Sequence, residues 1–539
     1  MFGKAKNDFP DLYSQNFAGY LTVDSLQLTV YREEKNISEQ HPTNNLLYMA
    51  YQDASIEQIN QMMNESWNAF QVYRQFSLKQ RADFMRAIAR EMEALGEELI
   101  ETAKRETNLP DTRLRNERAR TIFQLVSYAD AAQSASWMDL RIDTASPQKN
   151  PPRPDIRKTM TPLGPVIVFG AANFPFAYST AGGDTACAFA AGCPVIVKAH
   201  PAHAETSELV SKAIFAAAKK CNMPKGIFQH VHGQSFEVGK ALVTHPFTKA
   251  VGFTGSHLGG KQLFDWGNQR KEPIPVFAEM SSINPVFLLP NKLREDAAGV
   301  AAQYAGSITL GVGQFCTNPG LIIGVAGSDL DTFIEKLSAE MKKVQPATML
   351  HKGISKNYHE RRTAALSQSG VDTLVVAEQK ATDEQGEATL ASASAGAYLN
   401  NPVLHQEVFG PYSIVVRCKD VNEMTQVARQ TEGQLTCTLM ATKEDIQQNA
   451  ELADAVKNIC GRFILNGVPT GVEVCMSMQH GGPYPSTTDS RFTSVGGDGI
   501  KRFARPISYQ NWPNELLPDE LKDENPLGVW RMIDNEMKR

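Results

Sequence analysis

Cys316 lies in Gly311-Val312-Gly313-Gln314-Phe315-Cys316-Thr317-Asn318-Pro319-Gly320, a turn-rich stretch between a helical segment and an apolar strand. Small, flexible neighbours there let a thiol face a cleft, where its thiolate can act as a covalent nucleophile. The competing reading is plain packing, since free cysteines are among the most buried side chains. Glu279 closes the apolar run Ile274-Pro275-Val276-Phe277-Ala278. Desolvation by such neighbours is expected to raise its pKa towards neutrality and suit it to general-base work. A strand-end glutamate in water, or paired with a lysine, is the bland alternative. Asn173, in Gly170-Ala171-Ala172-Asn173-Phe174-Pro175, follows a buried strand. Its amide can donate to a developing oxyanion, although most turn asparagines satisfy only local backbone.

Signals for a nucleotide are weaker. No GxGxxG occurs, so the common dinucleotide fingerprint is missing. Lys198 closes the strand of Pro194 to Val197, and Gly255-Ser256 follows another strand just before a helix whose amino end can face a phosphate. A solvated lysine and an ordinary turn or cap explain both equally well. His200 with His203, and His230 with His232, lie close in sequence, but no third ligand is indicated, so no metal is expected.

The elements that must position these residues come in two textures. Residues 55 to 132 read as helices: Ser55 with Gln58 and Ser77 with Gln80 fit capping boxes. Ile59, Met63, Trp67 and Phe70, then Phe84, Ile88, Met92 and Leu95, recur at helical spacing. Thr144 to Arg157, rich in proline and polar residues, suits a linker or a projecting arm. Beyond it, short apolar runs at Pro165 to Phe169, Pro194 to Val197, Ile227 to Val231 and Lys249 to Phe253 alternate with helical segments, the pattern of parallel βαβ units. Further strands are expected at Val286 to Leu289, Leu321 to Val325, Thr373 to Val376, Ser413 to Val416 and Leu435 to Met440, with a helix at Leu293 to Tyr304. The chain thus predicts an α/β fold with a dinucleotide-binding sheet.

Bulk composition narrows the function classes. A chain of 539 residues exceeds what one core usually organises, which favours at least two domains and a cleft between them. A net charge of -5 offers no field suited to nucleic acid. Eight cysteines without paired close spacing point to a reducing, cytoplasmic compartment, and the amino terminus turns charged before any apolar run. Thr159 to Gly183 carries no charged residue, yet Pro162, Pro165, Asn173 and Pro175 make it a buried strand and turn rather than a membrane span.

Taken in order, Asn173, Lys198, Gly255-Ser256, Glu279, Cys316, Glu407 in Glu-Val-Phe-Gly-Pro and Asn466-Gly467 resemble the aldehyde dehydrogenase superfamily over almost the whole chain. The resemblance implies that the Cys316 thiolate attacks an aldehyde while the Asn173 amide and the Cys316 backbone N–H hold the oxyanion. Hydride leaves for a nicotinamide, and Glu279 activates water to hydrolyse the thioester. Glu407 would hold the nicotinamide-side ribose with Phe409 beside it, and Lys198, Gly255 and Ser256 would contact the rest of the cofactor. It also implies a Rossmann-like cofactor domain (1–139 with 159–285), a catalytic domain (286–485), an oligomerisation arm and tail (140–158 with 486–539), and a homodimer or homotetramer.

Within the superfamily the chain resembles the 2-oxoglutarate semialdehyde (2,5-dioxopentanoate) dehydrogenases through Ala181-Gly182-Gly183-Asp184-Thr185-Ala186, Lys198-Ala199-His200-Pro201-Ala202-His203, Ala278-Glu279-Met280-Ser281-Ser282-Ile283-Asn284-Pro285 and Gly481 to Phe492. NADP-linked long-chain aldehyde dehydrogenases are near relatives. Ala172 replaces the tryptophan common before the asparagine, which implies a roomier pocket. Pro201 stands where NAD-preferring members often carry a glutamate, which implies NADP over NAD, with NAD still possible. Arg491 is the one candidate for a substrate carboxylate, against a plain structural role. Three rivals remain: a medium- or long-chain aldehyde dehydrogenase, a catalytically silent relative, and a cysteine hydrolase, for which none of the eleven histidines shows a supporting motif.

Overall fold

The computed structural model describes residues 51–539. The amino-terminal stretch discussed above, and the first part of the expected cofactor domain, lie outside these residues. Four helices open the described chain: Ile56–Tyr73, Leu78–Ala94, Gly96–Thr107 and Asp111–Ser134. Both expected capping boxes are formed, Ser55 with Gln58 and Ser77 with Gln80, each satisfying two amides that the first helical turn leaves open. The apolar stripe of the second helix, Phe84, Ile88 and Met92, is wholly buried. Phe84 packs 5.0 Å from Phe189 of the helix Gly183–Ala191, joining the helical flank to the first sheet.

That sheet has five parallel strands in the spatial order Phe228–Val231, Val195–Lys198, Val166–Phe169, Ala250–Thr254, Val276–Glu279. Numbered along the chain this is 3-2-1-4-5, a doubly wound sheet whose order reverses beside Val166–Phe169. Ligands of such sheets bind at the carboxyl ends of the strands, near the reversal. Gly170 to Asn173, Lys198, Gly255-Ser256 and Glu279 all lie at those ends. Val166, Ile167, Val195, Ile196 and Val197 are almost fully buried, as expected for a sheet covered on both faces.

A second sheet of seven strands runs Val371–Val376, Thr389–Ser394, Tyr412–Cys418, Leu321–Val325, Val286–Leu288, Gln434–Met440, Cys460–Leu465. It is parallel except for its antiparallel first pair. All the strands expected from sequence are present here, and the helix Pro290–Thr309 covers Leu293 to Tyr304. Two strands escaped the sequence reading. Thr389–Ser394 is built of Thr, Leu, Ala and Ser and carries little β-branched signal, while Cys460–Leu465 is an edge strand with a mixed pattern. The helix Lys352–Leu366 was missed because few of its residues are buried.

A third sheet joins segments distant in sequence: Ala504–Gln510, Ile156–Pro162, Arg141–Asp143, Arg531–Ile533 and Glu536–Lys538. Residues 144–155 form an excursion between two of its strands, held by Arg153, which bonds Thr144 O at 2.9 Å and Asp534 at 2.6 Å. The uncharged run from Thr159 resolves into the end of one strand and the whole of Val166–Phe169. No helix among the described residues is long and apolar enough to cross a membrane.

Candidate active site

Cys316 owes its place to a strained turn. After the helix Pro290–Thr309 the chain passes through three consecutive left-handed residues, Gly311 (φ 55°), Val312 (φ 59°) and Gly313 (φ 65°). Glycine tolerates this and a β-branched valine does not, so Val312 stores about 1–3 kcal/mol. A Cβ on Gly313 would lie 2.2 Å from the carbonyl carbon of Gly410, so only glycine lets the two loops meet. Buried side chains then pin the turn. Asn284 Nδ2 donates to Cys316 O and to Asn318 O, both at 2.9 Å. Asn318 Nδ2 donates to Gly410 O at 3.1 Å. Gln434 Oε1 accepts from the backbone of Ile283 and Asn284, holding Asn284 from behind.

Glu279, Cys316 and His480 converge here, with one ligand-type atom of each within 4.8 Å of the others. His480 Nε2 stands 3.7 Å from Cys316 Sγ and 3.2 Å from Glu279 Oε1. Ser494 Oγ donates to Glu279 Oε2 at 3.1 Å. Glu279 and His480 are 4% and 2% exposed, so the acid and the imidazole interact in a dry environment, with the half-buried Cys316 at its edge. A cavity of about 20 Å³ borders Glu279, His480, Thr487 and Ser494, room for one water.

His480 is the residue sequence reading missed. None of the eleven histidines carried a motif for partnering a thiol, yet this one does so from 164 residues away. The available signal was its position directly before Gly481-Gly482, where Gly481 and Gly482 each press a Cα against neighbouring backbone.

The electrostatics correct one expectation and extend another. Burial pushes the Glu279 carboxyl up, as anticipated, but the His480 charge and hydrogen bonds from His480, Cys316 and Ser494 outweigh it, and the net shift is downward. Glu279 is therefore an ionised carboxylate at neutral pH rather than one raised towards 7. Cys316 moves the other way. Burial first, then the charge of Glu279, holds its thiol well above the ordinary range, with Arg462 opposing. The resting site is thus a neutral thiol beside a Glu279 carboxylate able to take its proton, with His480 against both.

Asn173 is brought to the same place. Its Nδ2 donates to Gln314 O at 3.2 Å, two residues before Cys316. Its backbone oxygen accepts from Arg113 Nη2 at 3.3 Å. Arg113 is fixed by buried Glu117 at 2.5 Å and lies over the Phe174 ring at 4.4 Å. Phe174, Tyr178 and Phe315 form an aromatic wall at this mouth, with Phe174 5.2 Å and 5.7 Å from the other two rings.

The residues expected on the nucleotide side line the carboxyl ends of the first sheet and the facing loop. Lys198 is largely desolvated, and burial brings its pKa down to about 8 against an opposing pull from Asp53. Ser256 caps the helix His257–Asn268 by accepting from Gly259 N at 3.2 Å. A Cβ on Gly255 would come within 2.6 Å of the Phe253 ring, so the backbone there is left bare for close approach. Glu407 lies with Phe409 against Ser282 and Asn318. Burial raises its pKa to about 8, tempered by a hydrogen bond from Ser281. These residues fit a dinucleotide: Lys198 and the helix start suit phosphates, and Glu407 suits a ribose hydroxyl pair.

Arg491 takes the plain structural role set against the substrate one, and the paired histidines gain a neighbour. Arg491 is 80% exposed and paired with Asp489 at 2.5 Å, so it is a surface ion pair. The histidines His230 and His232 do find a third partner, since Glu208 Oε2 lies 3.3 Å and 3.1 Å from them. Its carboxyl is held down to about 2, through the hydrogen bond from His230 first. Sequence spacing did not show this, because Glu208 comes from the preceding helix.

Known proteins resemble this chain in sequence and in fold. The model of the "Aldehyde dehydrogenase family" matches residues 30–505. The chain is 48% identical over 471 residues to the "Alpha-ketoglutaric semialdehyde dehydrogenase 2" of Azospirillum brasilense, covering 87% of this chain and 90% of that one. It is 42% identical over 503 residues to the "Alpha-ketoglutaric semialdehyde dehydrogenase" of Acinetobacter baylyi, covering 93% and 94%. Among solved structures, the NADP-dependent glyceraldehyde-3-phosphate dehydrogenase of Bacillus halodurans shares the fold, with a TM-score of 0.70 and 19% identity over 85% of this chain and 92% of that one.

Proposed function

The chain belongs to the aldehyde dehydrogenase family, and from that premise we propose that it oxidises 2-oxoglutarate semialdehyde to 2-oxoglutarate with NADP as its preferred cofactor. The convergence of Cys316, Glu279 and His480 carries the chemical reading. The Glu279 carboxylate removes the thiol proton, and the thiolate attacks the aldehyde carbon. Asn173 Nδ2 and the Cys316 backbone N–H stabilise the oxyanion; relaxing the bond from Asn173 to Gln314 O frees the donor. The bound nicotinamide supplies the hydride acceptor. Glu279 passes the thiol proton on to solvent and, ionised again beside His480, takes a second proton from the water that hydrolyses the thioester.

The semialdehyde reading is supported by the two bacterial relatives. The NADP reading is supported by Pro201 in place of a ribose-binding glutamate and by Lys198 beside it. The aromatic wall of Phe174, Tyr178 and Phe315 also suits an aliphatic aldehyde. Rates on 2-oxoglutarate semialdehyde and on alkanals, crossed with NADP and NAD and with and without coenzyme A, separate these readings. The expected outcome is a preference for the semialdehyde with NADP and no dependence on coenzyme A. A preference for alkanals or for NAD removes the corresponding half of the proposal. Loss of turnover in Cys316→Ala is required, and its survival would sink the covalent mechanism.

The first sheet is assigned to the cofactor and the seven-stranded sheet to the nucleophile. The third sheet, with exposed Trp512, Leu516 and Trp530 nearby in sequence, is the proposed assembly surface of a homodimer or homotetramer. A cytoplasmic setting is consistent with eight cysteines that are all free. Light scattering of the purified chain checks the assembly, and a monomer at micromolar concentration would refute it.

A further inference from the structure

With Arg491 committed to Asp489, the distal carboxylate of a semialdehyde acid needs another partner, and two arginines stand at the mouth of the site without an acidic one. Arg120 comes from the helix Asp111–Ser134 and Arg462 from the edge strand Cys460–Leu465. Both grip one loop. Arg120 Nη1 donates to Val472 O, while Arg462 Nη1 donates to Gly471 O at 2.7 Å and Nη2 to Pro469 O. The loop runs on to Val474, which packs in an apolar cluster with Tyr178 and Phe174. The backbone partners of these guanidiniums are neutral carbonyls, the Tyr178 hydroxyl beside Arg120 is neutral too, and among the described residues neither arginine makes an ion pair. Their charge is left unbalanced, unlike that of Arg113, which Glu117 neutralises.

The same pocket holds unspent hydrogen-bonding capacity. Arg462 Nε and the Tyr178 hydroxyl are both buried without a hydrogen-bond partner. A polar atom left so is costly, and such orphans mark places prepared for a ligand. They also connect to the chemistry. Arg462 acts electrostatically on both Cys316 and Tyr178, and Arg120 stands beside the Tyr178 hydroxyl. The Tyr178 ring lies 6.2 Å from the ring of His480. A molecule bound through its aldehyde at Cys316 therefore extends past an aromatic wall to a tyrosine hydroxyl and two guanidiniums. A planar carboxylate matches that donor set, because a guanidinium fork takes two oxygens at once.

We propose that Arg120, Arg462 and the Tyr178 hydroxyl form the subsite for the distal carboxylate of an ω-aldehydo acid, making them the residues that select carboxylated over plain aldehydes. This rests on the semialdehyde reading above. The test uses the full chain with NADP and two aldehydes of equal length, 5-oxopentanoate and pentanal, on the parent, Arg120→Gln, Arg462→Gln and the two lysine variants. The expected result is a parent that prefers 5-oxopentanoate. The ratio of kcat/KM for 5-oxopentanoate over pentanal then falls about 30-fold or more in each glutamine variant, chiefly through KM. Lysine restores part of the ratio, and glutarate loses its competition with the aldehyde in the glutamine variants. A ratio kept within about threefold in both glutamine variants overturns the subsite. So does a parallel loss on both aldehydes, the mark of arginines that only staple the loop. A parent without preference for 5-oxopentanoate overturns the semialdehyde reading itself, a result distinct from the other two.

Discussion

Glu279 Oε1 lies 3.2 Å from His480 Nε2, with both side chains almost wholly buried. That contact supplies the largest influence that offsets burial and keeps the Glu279 pKa down. The same imidazole nitrogen faces the Cys316 thiol.

Replacing His480 by glutamine removes the largest influence holding the Glu279 pKa down and leaves the upward push of burial. The carboxyl then protonates at a higher pH. The acid limb of the kcat profile is expected to move up by about one pH unit or more, a differential of roughly 1.4 kcal/mol per unit. The sign for stability is the same. A depressed carboxyl pKa contributes stability above its ordinary range, lost as pH falls through the folded value, so the parent gains more than the variant between acid and neutral pH. A profile that stays in place would refute this coupling.

The Cys316 thiol is held above its ordinary range by burial and by the Glu279 charge. In the nucleotide-free enzyme, alkylation of the Cys316 peptide by iodoacetamide should keep rising past pH 9 without a plateau. Glu279→Gln, by removing the negative neighbour, should speed that reaction at pH 8, by about tenfold for each unit the thiol pKa falls. Mass spectrometry of the peptide separates it from exposed Cys475.

Asn173→Ala deletes one of the two proposed oxyanion donors. A fall in kcat of about 10²–10³ is expected, with the nucleotide Kd unchanged. Stopped-flow single turnovers should place that loss in thiohemiacetal formation and hydride transfer.

Glu407, raised to about 8 by burial, gains its charge as pH passes through that value. An ionised carboxylate accepts stronger hydrogen bonds from ribose hydroxyls while Lys198, at about 8, loses its charge over the same range, so the parent's nucleotide affinity relative to that of Glu407→Gln should improve about threefold or more between pH 7 and 9. Titration calorimetry of the parent and Glu407→Gln across that range measures the ratio, and a constant ratio would refute the role of Glu407.

Gly313→Ala places a Cβ at 2.2 Å from Gly410 backbone in a left-handed position. A loss of about 2 kcal/mol or more is expected, read as a lower melting temperature, together with a displaced nucleophile. A neutral effect on both would show that the two loops separate easily.

Much of this was legible in the chain because it is local. Two capping boxes, the short apolar runs of both parallel sheets, and the placing of Asn173, Lys198, Gly255-Ser256 and Glu279 at strand ends follow from periodicity and turn chemistry read over a few residues. Thr389–Ser394 was not legible, since small residues in a buried strand carry no period.

What the sequence alone determined, then, is the doubly wound scaffold and a cysteine set in a glycine-rich turn, both encoded by neighbours along the chain. Only the tertiary structure decided the charge states and the company that cysteine keeps. His480 reaches Cys316 across 164 residues, Ser494 reaches Glu279 across 215, and Arg120 meets the Val472 loop across 352. Burial and Coulomb energy depend on such distances in space, which no local pattern of residue types encodes.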